Sequence, residues 1–370
     1  WERRALFAHR AALRGRDRVA VQRSNRDLEA ARQSVAAVIA RTQREARVAA
    51  DMVYPAPPVL KEVEACVAEG DVLLEYAIVC GRVVALVVTH EESRLVQLGS
   101  ASALRLACEA LRPERSESKP SRAVLRLREL VIAPLALPRS TKRLLISPHD
   151  ALSYVPFALL APGVDIGYIP SAASYVLLNT HGHAPGETVL ALGDPAYRSV
   201  RSGGHRGGRL SGKPLPRLEA TRAEARAVGD RVLLGTDASV TRFFEVLAER
   251  PRWRAVHFAC HGIVDAMRPF DSALALTPTA DSDGYLTALD LLGKRIPADL
   301  SVLSGCETGR GRLYRAEGIV GLTRAFMFAG SPRVLCSLWK VDDDATRALM
   351  IRFYELWNPR PKPCLLYTSD

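Results

Sequence analysis

The chain has 370 residues, 48% of them hydrophobic and 25% charged, which excludes a disordered, collagenous or low-complexity protein. Its net charge of +11 is concentrated at the start, where residues 1–50 hold twelve arginines and five acids. These alternate round a helical pattern, as on a solvated helix face, so a nucleic-acid partner would rest on net charge alone. No apolar run approaches the roughly 20 residues of a membrane helix, and no charged-then-apolar leader opens the chain. A soluble, cytoplasmic protein with no membrane partner is expected.

Residues 1–54 are nearly free of proline and glycine, and Leu28, Ala31, Val35, Val38, Ile39 and Thr42 recur at helical spacing. They read as a helical segment, the end of a truncated repeat array, and Trp1 in place of Met predicts further chain upstream. Pro55, Pro57 and Pro58 close it. A short helix over 59–68 leads into a predicted β-meander over 71–98, two strands around Gly81 and a third after a polar turn.

From there apolar strands are predicted at 143–147, 188–192, 231–234, 255–259, 273–276, 300–304 and 333–338. Helical patterns fall at 218–228, 241–249, 319–328 and 344–357. Alternation of strands and helices, with strands apolar on both sides, predicts a mostly parallel sheet covered on both faces. The Gly-, Ser- and Arg-rich stretch 198–214 reads as a mobile surface loop. After Trp357 a Pro-rich break introduces residues 358–370, expected to be a non-native tail.

The seven cysteines form no CxxC pair and no regular spacing, against a zinc ribbon or a secreted disulfide framework. Two strands end suggestively. AVHFAC runs into His261-Gly262, and DLSVLS runs into Gly305-Cys306. Ligands gather at the carboxyl ends of parallel strands, so each strand delivers one reactive side chain to a shared rim. His261 and Cys306 lie 45 residues apart, close to the spacing of caspase-type enzymes. Such chemistry needs a thiolate nucleophile, an imidazole that protonates the leaving amine, and amides facing the oxyanion. The backbone N–H groups of Gly262 and Cys306 are the candidates for that last role. The competing reading is that Cys306 merely packs at a strand end and that His257 or His261 is a satisfied core histidine.

Other signals fail. GGRLSGK at 207–213 nearly spells a phosphate loop, but Pro214 stands where a Ser or Thr would hold magnesium. No GxSxG elbow occurs. Cys260 and His261 lack a second ligand pair for zinc, and the carboxylates of Asp342, Asp343 and Asp344 would not all point one way round a cation. No metal and no cofactor are expected.

Four ordered motifs carry a family resemblance: LLISPHDALSYVPFALL, VHFACHG, LSGCETGRG and EGIVGLTRAFMFAGSPRVLCSLWKVDD. They resemble signatures of the CHAT domain, a family of caspase-like cysteine peptidases related to caspases and separase that often follows tetratricopeptide repeats. The resemblance covers about 55–357, with a catalytic half at 188–357. It implies a caspase-like αβα sandwich, His261 and Cys306 as a dyad, and a bacterial endopeptidase acting on a protein or peptide substrate. It also implies a regulatory partner working through N-terminal repeats. Relatives without turnover make an inactive interaction scaffold the alternative. Similarity to separase around Trp339 to Asp343 implies that Asp343 lines the pocket for the residue before the cut. The other roles open to Asp343 are an ion pair with Arg347 or the cap of the helix that follows.

Overall fold

The computed structural model describes Val19, Gln22, Arg26 and residues 57–111, 121–180, 184–197, 215–264, 269–304, 317–337 and 341–357. The chain divides into two units, 1–57 and 58–370. In the first, Val19, Gln22 and Arg26 are helical and exposed. The apolar stripe from Leu28 to Thr42 lies outside the described residues, as do the 198–214 stretch and the tail.

The second unit opens with α1 (Leu60–Cys66), then β1 (Asp71–Val79), β2 (Arg82–Val88) and β3 (Ser93–Ser100). β1 pairs antiparallel with β2, and β2 with β3, so the expected meander is present. It continues as a mixed sheet, because β4 (Arg143–Ser147) runs parallel to β1 and β5 (Asp165–Tyr168) parallel to β4. Two helices not anticipated from periodicity cover it: α2 (Ala101–Glu109), capped by the Ser100 hydroxyl, and α3 (Arg122–Val131), capped by Ser121. Their apolar stripes, Leu104 and Ala107 on α2 and Val124, Leu127 and Val131 on α3, bury against Leu74, Ala85 and Ile146. Two further helices follow on either side of β5: α4 (Phe157–Leu160) and α5 (Ala172–Thr180).

The second sheet holds the candidate site. Its strands are β6 (Val189–Pro195), β7 (Arg231–Gly235), β8 (Trp253–Ala259), β12 (Ala298–Ser304) and β13 (Val334–Cys336), in the order β13-β12-β8-β6-β7. Every pairing is parallel. A small antiparallel sheet of β9 (Gly262–Ile263), β10 (Ala273–Ala275) and β11 (Tyr285–Thr287) branches off directly after β8.

Successive strand residues point to opposite faces, and the core splits accordingly. Leu190, Leu192, Val256, Phe258 and Leu303 face α7 (Val240–Leu247), α8 (Ala288–Leu291) and α9 (Glu317–Phe328). Val189, Ala191, Ala255, Leu300 and Val302 face α6 (Ala220–Val228) and α10 (Asp343–Trp357). The result is the αβα sandwich expected, with its parallel sheet buried on both sides. The last strand is shorter than its apolar pattern predicts, and Leu338 lies outside the described residues.

β6 and α6 meet closely at Gly193. A Cβ there would clash with the Thr221 carbonyl oxygen and stand 2.8 Å from the Ala225 methyl. Gly193→Ala should therefore lower stability by about 1–3 kcal/mol through overpacking, read from urea unfolding. An unchanged midpoint would show that α6 is not seated this closely.

Candidate active site

Parallel pairing aligns the two strand ends. Ser304, last in β12, pairs with Ala259, last in β8, and Val302 pairs with His257. His261 follows its strand by two residues, and position 306 follows its own by two. Gly305 and Cys306 themselves lie outside the described residues.

His261 is held on every side and is 1% exposed. Its backbone N–H donates to the Tyr197 hydroxyl at 3.2 Å, and that hydroxyl donates in turn to the Ala275 carbonyl at 3.2 Å. The His261 carbonyl accepts from Ala275 N–H at 2.8 Å. The Tyr197 ring packs 5.2 Å from the imidazole, and burial pushes its phenol pKa up, keeping the hydroxyl a donor. The ring geometry fixes a tautomer. His261 Nε2 lies 2.7 Å from the Pro216 carbonyl, which can only accept, so Nε2 carries the hydrogen. Nδ1 is buried and has no hydrogen-bond partner among the described residues.

Gly262 sits opposite Leu274. Because Ala275 N–H donates to the His261 carbonyl, this is a non-hydrogen-bonded pair, and the Gly262 amide points away from β10. No acceptor among the described residues engages it.

Asp343 begins α10. Of the roles left open for it, two belong to its neighbours. Asp342 caps the helix, accepting Ala345 N–H at 2.9 Å, and Asp344 pairs with Arg347 at 3.2 Å. Among the described residues no hydrogen bond or ion pair engages Asp343. Burial raises its pKa, a positive charge on His261 would lower it, and Asp342, Glu224 and Asp344 raise it further. Trp339 and Lys340 lie outside the described residues.

A buried polar group beneath the rim escaped the sequence reading. Glu224 of α6 is 2% exposed. Its Oε1 accepts from His257 Nε2 at 3.0 Å and from the Ser304 hydroxyl at 2.5 Å. His257, with no exposed surface, is the core histidine of the pair in VHFACHG. Its ring lies 5.5 Å from that of Tyr354 on α10. Glu224 shows no sign in the sequence beyond an acid among the apolar positions of an amphipathic helix.

Two of the described cysteines are unsuited as nucleophiles. Burial pushes the Cys336 thiol up to about 11 and that of Cys108 up to about 12, whereas a nucleophile needs a lowered value. No group of three His, Cys, Asp or Glu among the described residues could hold a metal ion.

A parallel sheet clad on both faces, with a histidine fixed at its carboxyl rim, defines a caspase-like α/β sandwich. The chain belongs to the CHAT domain family, whose profile matches residues 121–364. It is similar to tetratricopeptide repeat protein 28 of mouse, with 25% identity over 301 residues, 65% of this chain and 12% of that protein. The human protein of the same name shares 26% over 306 residues, again 65% and 12%. The chain therefore spans a small part of these curated relatives. Among the described residues no helix is long and apolar enough to cross a membrane.

Removing Glu224 would leave His257 and Ser304 buried without their acceptor. Glu224→Ala should lower stability by about 1–3 kcal/mol, measured by chemical denaturation, with Glu224→Gln losing less. Equal stability of the alanine variant and the unaltered chain would remove any structural role for the cluster.

Proposed function

We propose that the chain is a cysteine endopeptidase that cuts a protein substrate through Cys306 and His261. The observation that supports this best is the state of His261. Its Nε2–H is committed to a backbone carbonyl, and among the described residues its Nδ1 lone pair is unpartnered, just past the β8 end that pairs with the end of β12.

Nδ1 takes the thiol proton, and the thiolate attacks the scissile carbonyl carbon. As the S–C bond forms, the carbonyl electron pair moves to oxygen, where the Gly262 and Cys306 amides donate to it. The tetrahedral adduct collapses, the C–N bond breaks, and Nδ1–H protonates the departing amine. Nδ1 then takes a proton from water as the water oxygen bonds to the thioester carbon. The S–C bond breaks, the acid is released, and the thiolate recovers the proton from Nδ1–H. Asp343, unpaired among the described residues, lines the pocket for the residue before the cut and favours Arg or Lys there. A regulatory partner acting through N-terminal repeats belongs to the same proposal, in line with the repeat-protein name of the relatives.

The near-complete burial of His261 favours a second reading, an inactive interaction scaffold. Peptide-library cleavage separates the two. Cys306→Ala and His261→Ala should each lose activity by several orders of magnitude, since the pair acts as a unit; turnover surviving in Cys306→Ala would refute the mechanism, and an inert unaltered chain would favour the scaffold.

The unaltered chain should prefer a basic residue before the cut, and Asp343→Ala should lose that preference. Recognition needs the carboxylate, whose pKa is raised. The preference should therefore fade as pH falls, beginning above the usual aspartate value of about 4. The ratio of kcat/KM for Arg and uncharged substrates across pH checks this. The Asp343→Ala ratio should stay flat.

A further inference from the structure

Proline 216 reaches His261 through its carbonyl, and the residue after it is anchored elsewhere. Arg217 lays its guanidinium fork on Asp194, Nε donating to Oδ1 at 2.6 Å and Nη2 to Oδ2 at 2.7 Å. Asp194 belongs to the end of β6, two strands from β12, and is 2% exposed. Its backbone takes a positive φ of 49°, a left-handed turn that Asp tolerates better than most residues. The conformation is secured by its N–H, which donates to the Thr221 hydroxyl at 2.9 Å. The arginines hold its carboxyl below the usual range, Arg217 first. Asp194 is thus a rigid, charged post, and Arg217 is the short tie from that post to the carbonyl over His261. Arg222 also donates to Asp194, at 2.7 Å, but from inside α6 and away from the carbonyl.

We propose that Arg217 is a positioning residue: its fork on Asp194 holds the Pro216 carbonyl against His261 Nε2 and so keeps the Nδ1 lone pair available to the reacting thiol. The role in turnover rests on the peptidase reading, whereas the hold on the imidazole does not. Without the tie, residues 215–217 are free to drift from the ring. The imidazole then loses the acceptor that selects its tautomer and fixes its plane, and a misplacement of about 1 Å in such a group can cost about 100-fold in rate.

Arg217 is 59% exposed along its side chain, so its truncation should leave the fold intact. Two readouts on the full chain test the proposal. In the first, 15N-histidine labelling reports the His261 ring, assigned by its disappearance in His261→Ala. The Nε2-protonated pattern should be uniform in the unaltered chain, averaged or reversed in Arg217→Ala, and largely restored in Arg217→Lys. In the second, Arg217→Ala should lower kcat about 10- to 100-fold with KM unchanged. Arg222→Ala, which strips the same carboxylate of a partner, should keep both. An Arg217→Ala ring signal identical to that of the unaltered chain would overturn the proposal. So would a raised KM with kcat intact, which would make Arg217 a substrate contact, or equal losses in both arginine variants, which would reduce the tie to general stability. If the unaltered chain cleaves no peptide, the peptidase reading fails while the ring signal still decides the role of Arg217.

Discussion

Parallel pairing of β8 with β12 is the constraint on which the rest of the site depends. With Ser304 level with Ala259, both strands leave the sheet at the same height. His261, two positions beyond the end of β8, is thereby fixed at the carboxyl rim of the sheet. Covering both faces makes this rigid, because strands buried on two sides cannot slide without disturbing two cores. The branching of β9 and β10 directly after His261 pins the histidine from the other direction. Few of its degrees of freedom are left to side-chain chance.

Polar groups are used sparingly inside this frame, and each use is local. Glu224 satisfies two donors from two adjacent strands, His257 and Ser304. It thereby staples the strand ends on the face opposite the large aromatic core. Buried carboxylates are tolerated only when such donors surround them. Asp194 follows the same rule with two arginines in place of neutral donors. One carboxylate thus stands under the strands and one at the end of β6, tied through Arg217 to the segment that meets His261.

Much of this was legible in the sequence because the informative residues are apolar and periodic. The strands at 143–147 and 300–304 and the helices near 218–228 and 344–357 stand within a few residues of their predicted limits, since buried strands leave short, dense apolar runs and amphipathic helices a 3.6-residue period. The helices α2 and α3 were not anticipated; interspersed arginines, as in the RAVLRLRELV of α3, mask a stripe only three residues wide. His261 and Asp343 stand where the sequence sets them along the chain, one just past β8 and one at the start of the helix after β13. The partners that define their chemistry could not be read from the sequence. Pro216 offers only a backbone carbonyl, and Glu224 and Arg217 act across 33 and 23 residues of chain. Such contacts carry no local spacing.

The run Asp342-Asp343-Asp344 shows how finely this architecture divides identical chemistry. Successive residues at a helix start diverge by about 100°, so Asp342 caps, Asp344 meets Arg347, and Asp343 takes a third direction with no ion pair among the described residues. Their assignment is a matter of helical phase, not of residue type. Inserting one residue between β13 and α10 could leave the acidic run intact to the eye while rotating a different carboxylate into the place Asp343 holds. Among related chains, the carboxylate in that place could therefore change with loop length, without a single substitution in the acidic run itself.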